Sequence, residues 1–217
     1  CSAGAQVIGV DLKPIKKDQK IIYIRGDVTR IETIELVKGE IKKRNFDNLV
    51  LVNNAGITLP DKTKYPLNKW KQTIDVNLTA PFMWMEELSP IFQDIKCGSV
   101  INITSLAAER AFPHNPAYIA SKGGLKTLSK YYAKKLGVYG IRVNCVGPGY
   151  IKTKMTENSY NCDKIRSSRE KHTFLKRWGN SNDLVGICVF LSSQESEYIT
   201  GQDFYVDGGW LANGLIL

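Results

Sequence analysis

Two side chains in the middle of the chain, Tyr118 and Lys122, are spaced for proton transfer. Four residues apart, they share one face of any helix that carries them. A free phenol titrates at about pH 10. A lysine cation beside it stabilises the phenolate and moves that value toward the working range of a general acid or base. Alone, the spacing also suits a tyrosine that packs its ring while a lysine snorkels past it. Ser105 follows the apolar run Ser99-Val100-Ile101-Asn102-Ile103 by two residues and precedes Tyr118 by thirteen. Its hydroxyl can hydrogen-bond a reacting oxygen and hold it against the phenol, although a turn serine or helix cap would look the same. Asn53-Asn54-Ala55-Gly56 closes another apolar run with small residues that let backbone approach a ligand, or that simply turn.

The elements that must position these groups can be read from apolar spacing. Strand-like runs occupy Gln6 to Val10, ending at Asp11, and Ile21 to Ile24, leading to Asp27. Ile31, Ile34, Leu36, Val37 and Ile41 fall close to helical spacing between Ile31 and Lys43. Asn48 to Val52 reads as a fully buried strand, Trp70 to Leu88 as one long helix, and Ser99 to Ile103 as a further strand. A helix is expected from Pro116 to Leu136 and a strand from Ile141 to Val146, broken by Gly147-Pro148-Gly149. A polar stretch, a helix near Asp183 to Ser192 and a short strand from Asp203 to Val206 complete the chain. Alternating strands and helices predict an α/β fold, a Rossmann-like doubly wound parallel sheet with helices on both faces. Ligands bind such sheets at the carboxyl ends of the strands. Asp11, Asp27, Asn53 to Gly56, Ser105 and Gly147 to Gly149 all fall there.

Composition narrows the function classes. The 217 residues suffice for one domain, and 43% hydrophobic with 24% charged residues is ordinary for a globular protein. No apolar run approaches the length of about 18 residues that would suggest a membrane span. The opening Cys1-Ser2-Ala3-Gly4-Ala5 has neither the basic start nor the apolar stretch of a signal peptide, which favours the cytoplasm. Cys1, Cys97, Cys145, Cys162 and Cys188 are scattered and form no Cys-x-x-Cys pair, and only His114 and His172 accompany them. Neither a metal site nor a disulfide scaffold is expected. The net charge of +9 raises the question of nucleic acid, but the lysines form no stripe and no nucleic-acid motif goes with them.

The set Asn53-Asn54-Ala55-Gly56, Asn77 in Val76-Asn77-Leu78, Ser105, Tyr118-x-x-x-Lys122 and Pro148-Gly149-x-x-x-Thr153 closely resembles the short-chain dehydrogenase/reductase family. The resemblance runs from Val7 to Trp210 with every motif in order. It implies hydride transfer between a nicotinamide cofactor and a carbonyl or secondary alcohol. Tyr118 would be the acid/base, Lys122 would lower its pKa and hold the nicotinamide ribose, Ser105 would orient the substrate oxygen, and Asn77 would hold a proton-relaying water. Asp27 and Val28 would lie near the adenine, Asn54, Ala55 and Gly56 along the adenosine, and Pro148, Gly149, Ile151 and Thr153 over the nicotinamide. Asp11 sits where the family reads the adenosine ribose. A carboxylate there accepts from the hydroxyls and repels a 2′-phosphate, which favours NAD over NADP. Lys13, Lys16 and Lys17 are close enough in sequence to soften that choice.

One family feature has no counterpart here. The strand, Thr-Gly-x-x-x-Gly-x-Gly turn and helix that open the family pattern are not in these residues, and Ala3-Gly4-Ala5 cannot replace the phosphate-binding turn. The missing strand would stand between Val7 to Val10 and Asn48 to Val52. The expectation is an incomplete copy of an ordinary enzyme, the rival being a shortened protein that has lost its cofactor site. Either way, residues 1–217 read as one dinucleotide-binding and catalytic domain.

Residues 150–178 are polar, irregular and rich in Lys and Arg, and in the family this region is a mobile lid over the substrate. A basic lid suits an acidic substrate, or is simply a solvated face. Trp178 and the ending Val206-Asp207-Gly208-Gly209-Trp210 look more like members acting on sugars, sugar acids or polyols than like acyl-carrier-protein reductases. A non-catalytic protein that kept the fold is the reading from another class. Family resemblance also implies a homotetramer or homodimer built on the helices at Trp70 to Leu88 and around Tyr118.

Overall fold

Short runs of valine, isoleucine and leucine, each closed by a polar or glycine turn, form six parallel strands. The computed structural model describes residues 3–13, 21–44 and 46–213. Strands β1 (Val7–Asp11) and β2 (Ile21–Arg25) pair with each other. Strands β3 (Leu49–Asn53), β4 (Gly98–Ile103), β5 (Ile141–Pro148) and β6 (Asp203–Val206) pair in that order. Parallel neighbours need crossovers. These are α1 (Ile31–Lys42) before β3, α2 (Leu67–Ile74) and α3 (Ala80–Ile95) before β4, α4 (Pro116–Gly137) before β5, and α7 (Val185–Ser192) before β6. Two short helices, α5 (Glu157–Asn161) and α6 (Asp163–His172), follow β5.

Helices cover both faces of the sheet, as the alternation of elements predicts. Side chains alternate across a strand, so neighbours in β4 serve opposite faces. Val100 joins Val143, Met85, Phe92, Tyr132 and Leu136 in a core with α1, α3 and α4. Ile101 joins Val146 and Leu191 in a second core under α7. Buried polar residues pin the middle of the sheet. Asn53 Nδ2 donates to Asn102 Oδ1 (2.7 Å), and Asn102 Nδ2 donates to Ser129 Oγ on α4 (2.8 Å).

The missing strand leaves its expected trace in the sheet, and three elements depart from their expected burial or bounds. The strands form two separately bonded sheets, and among the described residues no strand pairs with the free edge of β1 or of β3. That break coincides with the position of the strand missing from the family pattern. β3 is accordingly half-buried rather than fully buried, with Val52 46% exposed. The helix expected from Trp70 to Leu88 is longer and interrupted: Asp75–Thr79 makes one π-turn between α2 and α3. β5 continues through Gly147 to Pro148, because β6 pairs with it there.

The two-stranded sheet is held to the rest through α1 and α3. Ile8, Val10, Ile24 and Val28 pack on the larger core, and the buried Trp84 of α3 donates its indole N–H to Val28 O at 2.9 Å. Trp84→Ala is expected to lower the unfolding free energy by about 3–5 kcal/mol, read as a lower urea midpoint at nearly unchanged slope. A loss below about 1 kcal/mol would mean that this contact does not carry the attachment.

Candidate active site

The carboxyl ends of β4 and β5 lie side by side. Ile103 is in register with Val146, and Thr104 N donates to Val146 O at 2.8 Å. Ser105 follows in extended backbone and accepts from Ala107 N (3.1 Å), capping a short turn at Leu106–Ala108. The cap reading of the sequence is therefore correct as local structure, and it fixes the serine at the strand end. The chain then loops to Pro116, whose ring suits the first turn of α4. Tyr118 and Lys122 leave this helix on one face.

Tyr118 stands beside Ser105. Burial pushes its phenol above the ordinary value, and the Ser105 hydroxyl pulls the other way. The sequence anticipates that Lys122 lowers the phenol. Here its ammonium lies 5.8 Å from the Tyr118 ring centre and donates to Ile103 O at 2.7 Å, so desolvation of the phenol prevails. Lys122 is 5% exposed. Burial lowers its own pKa from 10.5 to about 8, against a small opposing effect of Cys145.

Asn77 sits in the π-turn, fully buried. Its amide accepts from Ile57 N (2.8 Å) and donates to Ile57 O (2.9 Å), which fastens the loop after β3 to the helix pair. It also donates to Ser121 Oγ at 3.2 Å, and Ser121 donates to Tyr118 O at 2.8 Å. Gly56 closes the recess. A Cβ there would stand 3.5 Å from Asn77 Oδ1 and 3.7 Å from Lys122 Nζ, at ordinary contact distance, so Gly56 lies directly against both side chains.

The remaining expected residues are more dispersed. Asp11 ends β1, exposed, and accepts from Lys13 N (2.9 Å); Lys16 and Lys17 lie outside the described residues. Asp27 accepts from Thr29 N and Thr29 Oγ1 at 2.9 and 2.8 Å, which holds its carboxyl below the usual range. Gly26 N donates to Asp11 O, so Asp11, Asp27 and Val28 share the exit of the two-stranded sheet. Asn54 and Ala55 are exposed after β3. Gly149 N bonds Val206 O, Ile151 is buried and bridges to Gly179, and Thr153 is engaged with Thr156 in a turn. Ile151 and Thr153 therefore offer backbone or lid geometry more readily than free side chains.

Two participants are invisible to motif reading. Ser121 lies inside Tyr118-x-x-x-Lys122 and ties that helix to Asn77. Glu109, after the Ser105 turn, pairs with Lys126 of α4 and accepts from Tyr205 OH of β6 (2.7 Å). Lys126 is four residues past Lys122, the one signal that could have found it. The lid is also more ordered than its polar sequence suggests, since Tyr150, Tyr160 and Trp178 pack together around α5 and α6. No group of three or more possible metal ligands occurs among the described residues, and the four described cysteines are free. Among the described residues no helix is long and apolar enough to cross a membrane.

The depressed Lys122 value has a measurable consequence. Between pH of about 8 and 10.5 the unfolded chain binds more protons than the folded one at this residue, so its contribution to stability rises with pH. Lys122→Met should flatten that part of the pH–stability curve, measured as urea midpoints across the window. A variant curve as steep as the wild type would assign Lys122 an ordinary pKa.

Comparison with known proteins agrees with this geometry. The family model described as enoyl-(acyl carrier protein) reductase matches residues 2–211. The 2-dehydro-3-deoxy-D-gluconate 5-dehydrogenase of Bacillus subtilis is 33% identical over 97% of this chain and 86% of its own. A 4-hydroxyisoleucine dehydrogenase solved with NADH superposes with a TM-score of 0.89 at 31% identity, covering 98% of this chain and 91% of that one. A gluconate 5-dehydrogenase from Burkholderia cenocepacia, solved with NADP and tartrate, gives 0.88 at 26%, covering 97% and 87%. With the motifs in order, their side chains gathered at the ends of β4 and β5, and matches over nearly the whole length, the chain belongs to the short-chain dehydrogenase/reductase family of nicotinamide-dependent oxidoreductases.

Proposed function

We propose that the protein interconverts a keto and a hydroxy sugar acid, with Tyr118 as acid/base, Ser105 orienting the substrate oxygen, and Lys122 and Asn77 completing the proton path. The observation that carries this reading is the Ser105 hydroxyl set against the half-buried Tyr118 phenol, one helical turn from the buried Lys122 ammonium. The space beside Gly56, faced by Lys122 and Asn77, fits the nicotinamide–ribose end of a dinucleotide. Asp11, Asp27 and Val28 suit its adenosine end, with Asn54 and Ala55 between and Pro148, Gly149, Ile151 and Thr153 above the nicotinamide. The glycine-rich phosphate turn of the family is not among these 217 residues.

A nicotinamide dinucleotide held beside Gly56, Asn77 and Lys122 would supply or accept the hydride at the carbon bearing the reacting oxygen. In reduction Ser105 and Tyr118 donate hydrogen bonds to that oxygen as negative charge grows on it, and the phenol proton passes to it. The raised phenol pKa keeps Tyr118 protonated for this role at neutral pH. Lys122, within reach of both phenol and ribose, offsets the phenolate left behind. In oxidation the same groups act in reverse.

Sugar acids are favoured by the names of similar dehydrogenases, which act on gluconate derivatives, and by the cationic lid over residues 150–178. Reduction of a carrier-bound 3-oxoacyl group is the second reading. It is supported by the description of the matching family model and by a Synechocystis 3-oxoacyl-[acyl-carrier-protein] reductase 37% identical over 87% of this chain. We further propose NAD as the preferred cofactor, through Asp11, together with assembly into a dimer or tetramer and residence in the cytoplasm.

Tyr118→Phe is expected to lower kcat by about 10²–10⁴-fold while cofactor binding, followed by protein fluorescence quenching with NADH, survives. Turnover unaffected by this substitution would overturn the assigned chemistry and favour the non-catalytic reading. Asp11→Ser should weaken NADH binding and lower the preference for NADH over NADPH by about tenfold, the worth of a hydrogen bond to a charged group. An unchanged ratio in paired titrations would remove Asp11 from cofactor selection.

A further inference from the structure

Residues beyond β5 form an aromatic wall that reaches the loop between Ser105 and Tyr118. Tyr150 and Tyr160 flank Trp178 at 5.4 and 5.3 Å between ring centres, and Trp210 meets Tyr150 at 5.9 Å. Phe112, in the loop joining Ser105 to Tyr118, meets Trp210 at 5.8 Å. The wall is therefore continuous from the loop that carries the acid/base pair to the lid. At its lid end the Arg169 guanidinium of α6 lies 4.2 Å from the Tyr150 ring centre and 5.5 Å from that of Trp178.

Arg169 differs from the other lid arginines. Arg166 pairs with Asp163 at 2.6 Å and Arg177 with Asp183 at 2.8 Å. Among the described residues Arg169 makes neither an ion pair nor a hydrogen bond to protein. A guanidinium stacked on rings has its face satisfied, while its N–H donors project from the edge in the plane of the group. Those donors match the two oxygens of a carboxylate, and stacking has already restricted the side chain, so less entropy is lost when an anion docks. Burial pushes the Tyr150 phenol up against the pull of Arg169, so the ring beneath stays neutral and leaves the cation's charge available. Lys152, over Tyr160 at 4.3 Å, is a point charge without such a fork.

The geometry points to Arg169 as the anchor for the substrate's carboxylate, at the lid end of the aromatic wall that begins in the loop between Ser105 and Tyr118. This inference rests on the sugar-acid reading above and deepens it. It makes α6 a specificity element: the lid selects acids over neutral sugars through one bidentate contact.

The test compares wild type, Arg169→Met and Arg169→Lys in two measurements. One is binding of gluconate to the protein, followed by the fluorescence of Trp178 and Trp210. The other is reduction of 5-ketogluconate against fructose, a neutral six-carbon ketose. Arg169→Met is expected to weaken gluconate binding and raise KM for the keto acid by about 30- to 100-fold, the effect of one or two charged hydrogen bonds, with kcat nearly unchanged. KM for fructose should stay within about twofold, which also reports an intact fold, since a surface substitution of this kind has little effect elsewhere. Arg169→Lys should recover only part of the loss. If wild type prefers the keto acid but Arg169→Met changes neither substrate, or both equally, the anchor is overturned and the sugar-acid reading stands. If wild type instead favours fructose or an acetoacetyl thioester, the sugar-acid reading fails and the anchor fails with it.

Discussion

Burying one lysine ammonium at the carboxyl end of β4 is the constraint around which the site is arranged. Lys122 is 5% exposed and among the described residues has no acidic partner. An unpaired charge taken out of water costs several kcal/mol, and the depressed pKa is the direct expression of that cost. One of its three donors is met by Ile103 O, a carbonyl at the end of β4. Gly56 lies close by, where a Cβ would stand 3.7 Å from the ammonium. The helix cannot relieve this strain by turning, because Leu125, Ser129, Tyr132 and Leu136 on the same buried face of α4 are held in the sheet's core. A group entering beside Gly56 would supply the acceptors that the ammonium lacks, so the cost of folding the lysine inward is returned when a ligand binds.

The same logic explains the π-turn at Asn77. A regular helix would satisfy its own backbone and leave the Asn77 amide nothing to do but face the core. The extra residue of the π-turn brings that amide to both main-chain groups of Ile57. The loop after β3, which would otherwise carry unpaired buried groups, gains two hydrogen bonds and presents Gly56 at a fixed height above Lys122. Ser121 then relays the position of Asn77 to the backbone of Tyr118. Three segments far apart in sequence are thus located by one buried amide.

Much of this was legible in the sequence. Periodicity located all six strands and the major helices, because a sheet covered on both faces demands apolar runs and the crossovers demand amphipathic ones. Tyr118, Lys122 and Ser105 were legible because helix spacing and a strand end constrain where their side chains emerge. The π-turn was not, since Trp70 to Leu88 keeps its apolar spacing through Asn77 and nothing local announces an inserted residue. The open slot between β1 and β3 followed from family comparison; β3 on its own looks like a central strand. The lid misled in the other direction. Its polar sequence suggested an irregular segment, while Tyr150, Tyr160 and Trp178, too widely spaced to produce a periodic signal, pack together around two short helices.

Glu109 shows how a partly exposed contact can matter more for geometry than for stability. It joins the turn after Ser105 to Lys126 on α4 and, through Tyr205, to β6. Lys126 and Lys130 also reach Asp203 at 3.6 Å, so the cluster spans three elements, the turn, α4 and β6. Ion pairs this accessible to solvent contribute little to folding and weaken with salt. What the cluster does is limit relative motion. Tyr118 and Ser105 sit on different elements, and neither the sheet nor the helix by itself sets their separation. Tyr205 packs its ring over Gly147, where any side chain would collide with it, so β5, β6 and α4 meet at a fixed distance just below Ser105. The phenol and the hydroxyl are held together by a tie that only the tertiary fold assembles.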